Sequence, residues 1–223
     1  MNGFASILLL MRFVSGVAGG SDQAVIESVH ATQDVALDLD PRSDFWRTSR
    51  PVYMEEDGPG KTTPRYPTEV RTRWTKRNLY LLLVCPYEEL HLKPAPNLQK
   101  ETNELGNWDV AEVFVGSDCA NIKRYMGFEI SPQGEWVDLD IDLSKPHHEL
   151  GWTWNSGFGV KARMDEDTDT WHGAMRILLA AVDARFPIVG NTMRINLFSE
   201  SGAAFPSASG NGAASAERLV SPT

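Results

Sequence analysis

Only two cysteines occur in the 223 residues, Cys85 and Cys119. They are far apart and lack metal-ligand spacing, so neither a zinc cluster nor a disulfide framework follows from them. Cys85 ends the apolar run Leu79–Val84 and reads as a buried free thiol. Positive charge is also scarce: 21 Lys and Arg face 30 Asp and Glu, a formal net charge of -9. Nucleic acid and anionic membranes are bound by clustered Lys and Arg, so neither is an expected partner. No apolar run reaches the ~20 residues of a membrane span. The leading run, Phe4 to Ala18, is too short, although Arg12 interrupts it and small residues Ala18, Gly19 and Gly20 follow. Residues 1–20 therefore read as a secretory signal, which implies a secreted or periplasmic protein. Catalytic signatures are missing as well: no G-x-S-x-G elbow, phosphate loop, dinucleotide fingerprint or H-E-x-x-H is present. No pair of carboxylates stands out for glycosidic cleavage, so an enzyme is not expected.

What is present is strand pattern. Thr68–Trp74 alternates, with Val70, Thr72 and Trp74 on one side and Glu69, Arg71 and Arg73 on the other. Lys76-Arg77-Asn78 turns into Leu79–Val84, continuous enough for a central strand. Trp108–Val115, Arg124–Ser131 and Glu135–Leu143 follow, the last two joined by Pro132-Gln133-Gly134. In Glu135–Leu143, Val137, Leu139, Ile141 and Leu143 alternate with Trp136, Asp138, Asp140 and Asp142, a period of two that excludes helix. Phe158–Met164 and Trp171–Leu178 form another hairpin, Leu179–Val182 a helical turn, and Thr192–Phe198 a last strand. Cys85–Gly106, with three prolines, is a long excursion of the kind that carries function. With nine to eleven short strands and no long helix, the chain reads as an all-β antiparallel sandwich, immunoglobulin- or jelly-roll-like, over residues 24–198. Residues 199–223 are small, polar and aperiodic and read as a disordered tail.

One residue breaks the pattern. Glu112 lies in a strand apolar on both faces, and a buried carboxylate needs a partner or a function. Arg71, Arg73 and Arg124 are candidate partners; the other reading is a carboxylate accepting bonds from ligand hydroxyls. Seven tryptophans are present. Trp152 and Trp154 are two apart in a Gly-containing loop, and an extended segment would project both to one side. With Trp108 they are candidate stacking surfaces for a hydroxyl-rich ligand, whereas Trp74, Trp136 and Trp171 suit packing. The adjacent His147 and His148 do not suit one metal ion. Asp138, Asp140 and Asp142 share a face that either is solvated or holds calcium with loop carbonyls.

The segments Trp108–Asp118, Arg124–Asp138, Trp171–Ile177 and Arg194–Phe198, reading W-D-V-A-E-V-F-V-G-S-D, R-Y-x-x-F-E-I-S-P-Q-G-E-W-V-D, W-H-G-A-M-R-I and R-I-N-L-F, resemble the family 9 carbohydrate-binding modules and their DOMON-like relatives. The resemblance implies a β-sandwich that binds oligo- or polysaccharide without transforming it, beside secreted polysaccharide-degrading enzymes. It implies a sugar held between two tryptophans, Trp108 and one of Trp152 or Trp154, with Glu112, Arg124 and Asn155 bonding hydroxyls. No cofactor is required, and structural calcium occurs among such modules. Such modules continue past the R-I-N-L-F strand into a closing strand, so the resemblance implies that residues 199–223 are an aberrant tail and that the sandwich lacks its last strand. A rival reading is a DOMON-like haem or redox module, for which Met126, Met164, Met175 and His172 are available; another is an accessory domain that binds no sugar itself.

Overall fold

Alternation of side chains with a period of two is what builds this structure, a computed structural model that describes residues 25–54, 67–183, 185, 191–200, 213–214 and 218–220. In chain order the strands are β1 (Val25–Glu27), β2 (Val29–His30), β3 (Val52–Tyr53), β4 (Glu69–Trp74), β5 (Asn78–Pro86), β6 (Val110–Gly116), β7 (Arg124–Ile130), β8 (Trp136–Asp142), β9 (Gly159–Asp165), β10 (Thr170–Leu178), β11 (Thr192–Glu200), β12 (Ala213–Ala214) and β13 (Arg218–Val220). One helical turn, α1 (Leu179–Val182), follows β10. The leader-like residues 1–20 and most of the Gly- and Pro-rich loop before Thr68 lie outside the described residues.

The strands form two sheets. The first runs β1-β13-β11-β6-β7-β8, with β12 also on β11; the second runs β2-β4-β5-β10-β9, with β3 on β4. The chain passes from the first to the second at Ser28, because β1 and β2 belong to different sheets. Two pairings are parallel, β1 with β13 and β2 with β4, and the rest are antiparallel. The tail read as aberrant thus contributes two short strands against β11.

The core lies between the sheets and takes every second residue. Val70 and Trp74 of β4, Leu79, Leu81, Leu83 and Cys85 of β5, and Trp171, Met175 and Ile177 of β10 meet Ala111, Val113, Val115, Met126, Phe128, Ile130, Ile195 and Leu197 from the first sheet. The expected hairpins and the packing roles of Trp74 and Trp171 are therefore present. Burial pushes the Cys85 thiol up to about 12, so it remains a neutral core residue.

The outer face of the second sheet is closed by residues 31–50. Trp46, Leu39, Tyr80, Leu82 and Ala174 form a separate core there. Asp34 accepts hydrogen bonds from the Thr75 hydroxyl, Asn78 Nδ2 at 2.7 Å and the Tyr80 hydroxyl at 3.2 Å. Arg71 donates to the carbonyls of Trp46 and Ser49, and Arg73 to those of Phe45 and His30. These bonds satisfy loop carbonyls that would otherwise sit unpaired against an apolar surface.

One expectation is inverted. The apolar set Val137, Leu139 and Ile141 faces outward from the first sheet, while Asp138 and Asp140 pair across β7 with the core-facing Phe128 and Met126. The reason is position: β8 is the edge strand, and its inner side meets loops carrying hydrogen-bond donors instead of apolar strands of the second sheet.

Phe128 is fully buried and packs against Trp154 and Phe158 of the segment between β8 and β9. Phe128→Ala is expected to cost about 3–5 kcal/mol in urea-induced unfolding, with an unchanged denaturant slope if the fold is otherwise kept.

Candidate functional site

Register decides where the unusual acid points. In β6 the odd-numbered Ala111, Val113 and Val115 enter the core, so Val110, Glu112 and Phe114 face outward from the first sheet. Glu112 is nevertheless only 2% exposed. Its neighbours across the ladder are Phe198 of β11 and Glu129 of β7. A 3-10 turn at Leu105–Asn107 lies over it: a Cβ on Gly106 would sit 3.6 Å from Glu112 Oε1. Beside it, Leu105, Val110 and Val137 make a small outer-face core, joined by Leu139 and Trp152.

The arginines expected near this acid go elsewhere. Arg71 and Arg73 hold the 31–50 strap on the other sheet. Arg124 shares the inward parity of Met126 and Phe128, pairs with Asp140, and donates to the Ile141 carbonyl at 3.1 Å. The arginine on Glu112's face is Arg194 of β11. Its guanidinium lies over Gly116, where a Cβ would come within 3.0 Å of Nη2. Asn196, opposite Phe114, lies between Arg194 and Phe198 on the same outward side. Tyr125 completes the set: burial pushes its phenol up to about 12, with Arg194 opposing and Glu112 adding to the shift. One outward face thus gathers a carboxylate, a guanidinium, an amide and a phenol that remains a neutral donor at ordinary pH. Arg194, Asn196 and Tyr125 were missed in the sequence. The signal lay in R-I-N-L-F, where Arg194, Asn196 and Phe198 alternate with the buried Ile195 and Leu197.

The tryptophans separate. Residues 148–153 form a 3-10 helix, not the extended segment that would keep Trp152 and Trp154 on one side. The segment bends round the edge of β8: Trp152 packs with the outer-face cluster, Trp154 against Phe128 and the main core. Trp108 stacks on His91 at 4.7 Å and 21°. The Asn155 side chain accepts the Gly157 N–H at 2.9 Å, which shapes its own turn. Of these tryptophans, Trp152 packs on Glu112's side of the sheet.

Buried acids fasten the long excursion to the first sheet. Asp109 Oδ2 accepts the His91 N–H at 2.9 Å, and the Asp109 N–H returns to the His91 carbonyl. Glu135, fully buried, accepts from the Asn97 N–H, the Thr102 hydroxyl and Lys93 Nζ. Asp138, also fully buried, accepts the Ser156 N–H at 2.8 Å and the Ser156 hydroxyl. Asp140 pairs with Arg124, and Asp142 with Ser144 and Lys145. Alternate residues of a strand stand about 6.6 Å apart, and these three acids take separate partners. Among the described residues no three His, Cys, Asp or Glu side chains are grouped to hold a metal.

Glu101 of the excursion faces Asp138, and its carboxyl is pushed up to about 7 by burial, by the Asp138 charge and by a hydrogen bond to Asp138. A carboxyl raised on folding favours the folded state while protonated, and that contribution fades as pH climbs. Thermal stability is therefore expected to decline from about pH 4.5 to about pH 7 on this account, and Glu101→Gln to flatten that decline in melting curves taken across the range.

No protein-family model matches the chain, and no curated protein matches it significantly. Solved structures do. A family 9 carbohydrate-binding module from Caldicellulosiruptor kristjanssonii, solved with cellotriose, aligns over 87% of this chain and 80% of its own, at TM-score 0.55 and 14% identity. The same kind of module from that organism, solved with glucose, covers 78% of each chain at TM-score 0.53 and 14% identity. A candidate carbohydrate-binding protein from Bacteroides uniformis covers 89% and 91% at TM-score 0.62 and 11% identity. The chain has the all-β sandwich fold of the family 9 carbohydrate-binding modules.

Proposed function

We propose that this chain binds carbohydrate without transforming it, and that the sugar meets the outer face of the first sheet. The observation that carries the reading is the gathering of Arg194, Asn196 and Tyr125, all half-buried, on one sheet face beside half-buried rings. Sugars present alternating donors and acceptors above apolar C–H surfaces, and sites for neutral ligands pair a few placed polar groups with aromatic area. A chain of net charge -9 with leader-like residues 1–20 suits a module exported to work beside polysaccharide-degrading enzymes. The fold likeness to modules solved with glucose and cellotriose supports the same reading.

The haem or redox reading finds less support in the placement of its candidate ligands. Met126 and Met175 are core residues between the sheets, Met164 lies exposed on β9, and His172 faces outward from the second sheet beneath the strap.

An array of neutral oligosaccharides probed with the intact chain tests the proposal. Specific retention is expected, and Arg194→Ala is expected to weaken it about tenfold or more, since a hydrogen bond from a charged group contributes about 1.5–3 kcal/mol. Unchanged retention by Arg194→Ala would remove this face from the account.

A further inference from the structure

The sugar-binding reading leaves open which rings the sugar stacks on. We infer that the stacking platform is Phe114 with Tyr125 and Phe198, rather than the tryptophans. The inference rests on the proposed sugar binding and names the residues that would carry it.

Phe114 sits on β6, the central strand of the three, with Tyr125 on β7 and Phe198 on β11. Both flanking rings meet it edge-on: Tyr125 at 5.7 Å and 81°, Phe198 at 5.7 Å and 73°. The central ring is low on the sheet because its neighbour is a glycine. Gly127 lies directly across from Phe114, and a Cβ there would come within 3.0 Å of the ring and of Leu139 Cδ1. Gly116 does the same for Arg194. Glycine weakens a strand interior, and one that persists there marks a close approach. Here two of them lower a phenyl ring and a guanidinium onto the same face. Phe114 is thereby flanked by two rings set steeply to it, and the three form a half-buried aromatic surface on this face. Its polar margin is Asn196, opposite Phe114, then Arg194, then the Tyr125 hydroxyl. An aromatic surface with hydrogen-bonding groups beside it fits one pyranose ring packed by its C–H face. The tryptophans fit less well: Trp154 packs on Phe128, Trp108 on His91, and Trp152 on the cluster of Leu105, Val110 and Val137.

Calorimetric titration with cellotriose, followed by the neutral oligosaccharide array, separates the possibilities. Phe114→Leu keeps apolar volume while removing the ring, and Gly127→Ala keeps the ring while lifting it. Both are expected to weaken binding about tenfold or more, whereas Trp154→Ala should remain within about twofold of the parent. Far-ultraviolet dichroism of each variant confirms that it is folded. If the parent chain binds and both Phe114→Leu and Gly127→Ala bind as well as it does, the platform is overturned while sugar binding stands. Loss confined to Trp154→Ala overturns it equally. If the parent binds no sugar on the array, the carbohydrate reading itself fails and the platform falls with it.

Discussion

Everything at the candidate site follows from the parity of β6. A strand between two neighbours must send alternate residues to opposite faces. With Ala111, Val113 and Val115 locked into the inter-sheet core, Glu112 and Phe114 can only face outward. A slip of one residue would drive a carboxylate into the main core and three apolar side chains out of it. The cost of such a slip fixes the register, and the register in turn fixes which residues of β7 and β11 share Glu112's side. Arg194, Asn196, Phe198, Tyr125 and Glu129 are there for that reason, and Arg124 is not.

A second constraint is how the irregular segments are held. The excursion after β5 and the segment after β8 carry few core side chains, yet they enclose the edge of the first sheet. Buried acids on the sheet hold them by accepting their donors: Asp109 and Glu135 for the excursion, Asp138 for Ser156. A carboxylate accepting several N–H and O–H bonds compensates its own desolvation while ordering a loop. On β8 the three acids take separate partners, Asp138 with Ser156, Asp140 with Arg124, and Asp142 with Ser144 and Lys145. Glu101 against Asp138 shows the cost of this scheme, since two carboxyls share one pocket and favour keeping a proton between them.

The fold was legible in the sequence because strand alternation, turn residues and apolar runs all pointed one way. Thr68–Trp74 with Leu79–Val84, and Trp171–Leu178, lie where their patterns place them. Alternation alone could not say which side of β8 was inner, because an edge strand's inner face meets loops, and loops reward acids. Nor could it show that residues 148–153 wind into a 3-10 turn, which sends Trp152 and Trp154 to opposite sides of the sheet. Glu112 stood out as chemically odd from the start, and its burial bears that out. Its companions were hidden because they come from β7 and β11, distant in sequence and joined only through the ladder. The glycines at 116 and 127 carry no pattern of their own until the register shows what lies over them.

The central claim is that sugar contacts the outward face of β6, β7 and β11. Amide chemical-shift mapping on isotope-labelled chain titrated with cellotriose tests it most directly. The account predicts shifts centred on Phe114, Tyr125, Gly127, Arg194 and Asn196, with the strap at residues 31–50 unaffected. Shifts centred on Trp154 and Asn155, or on the strap, with that face unchanged, would contradict it.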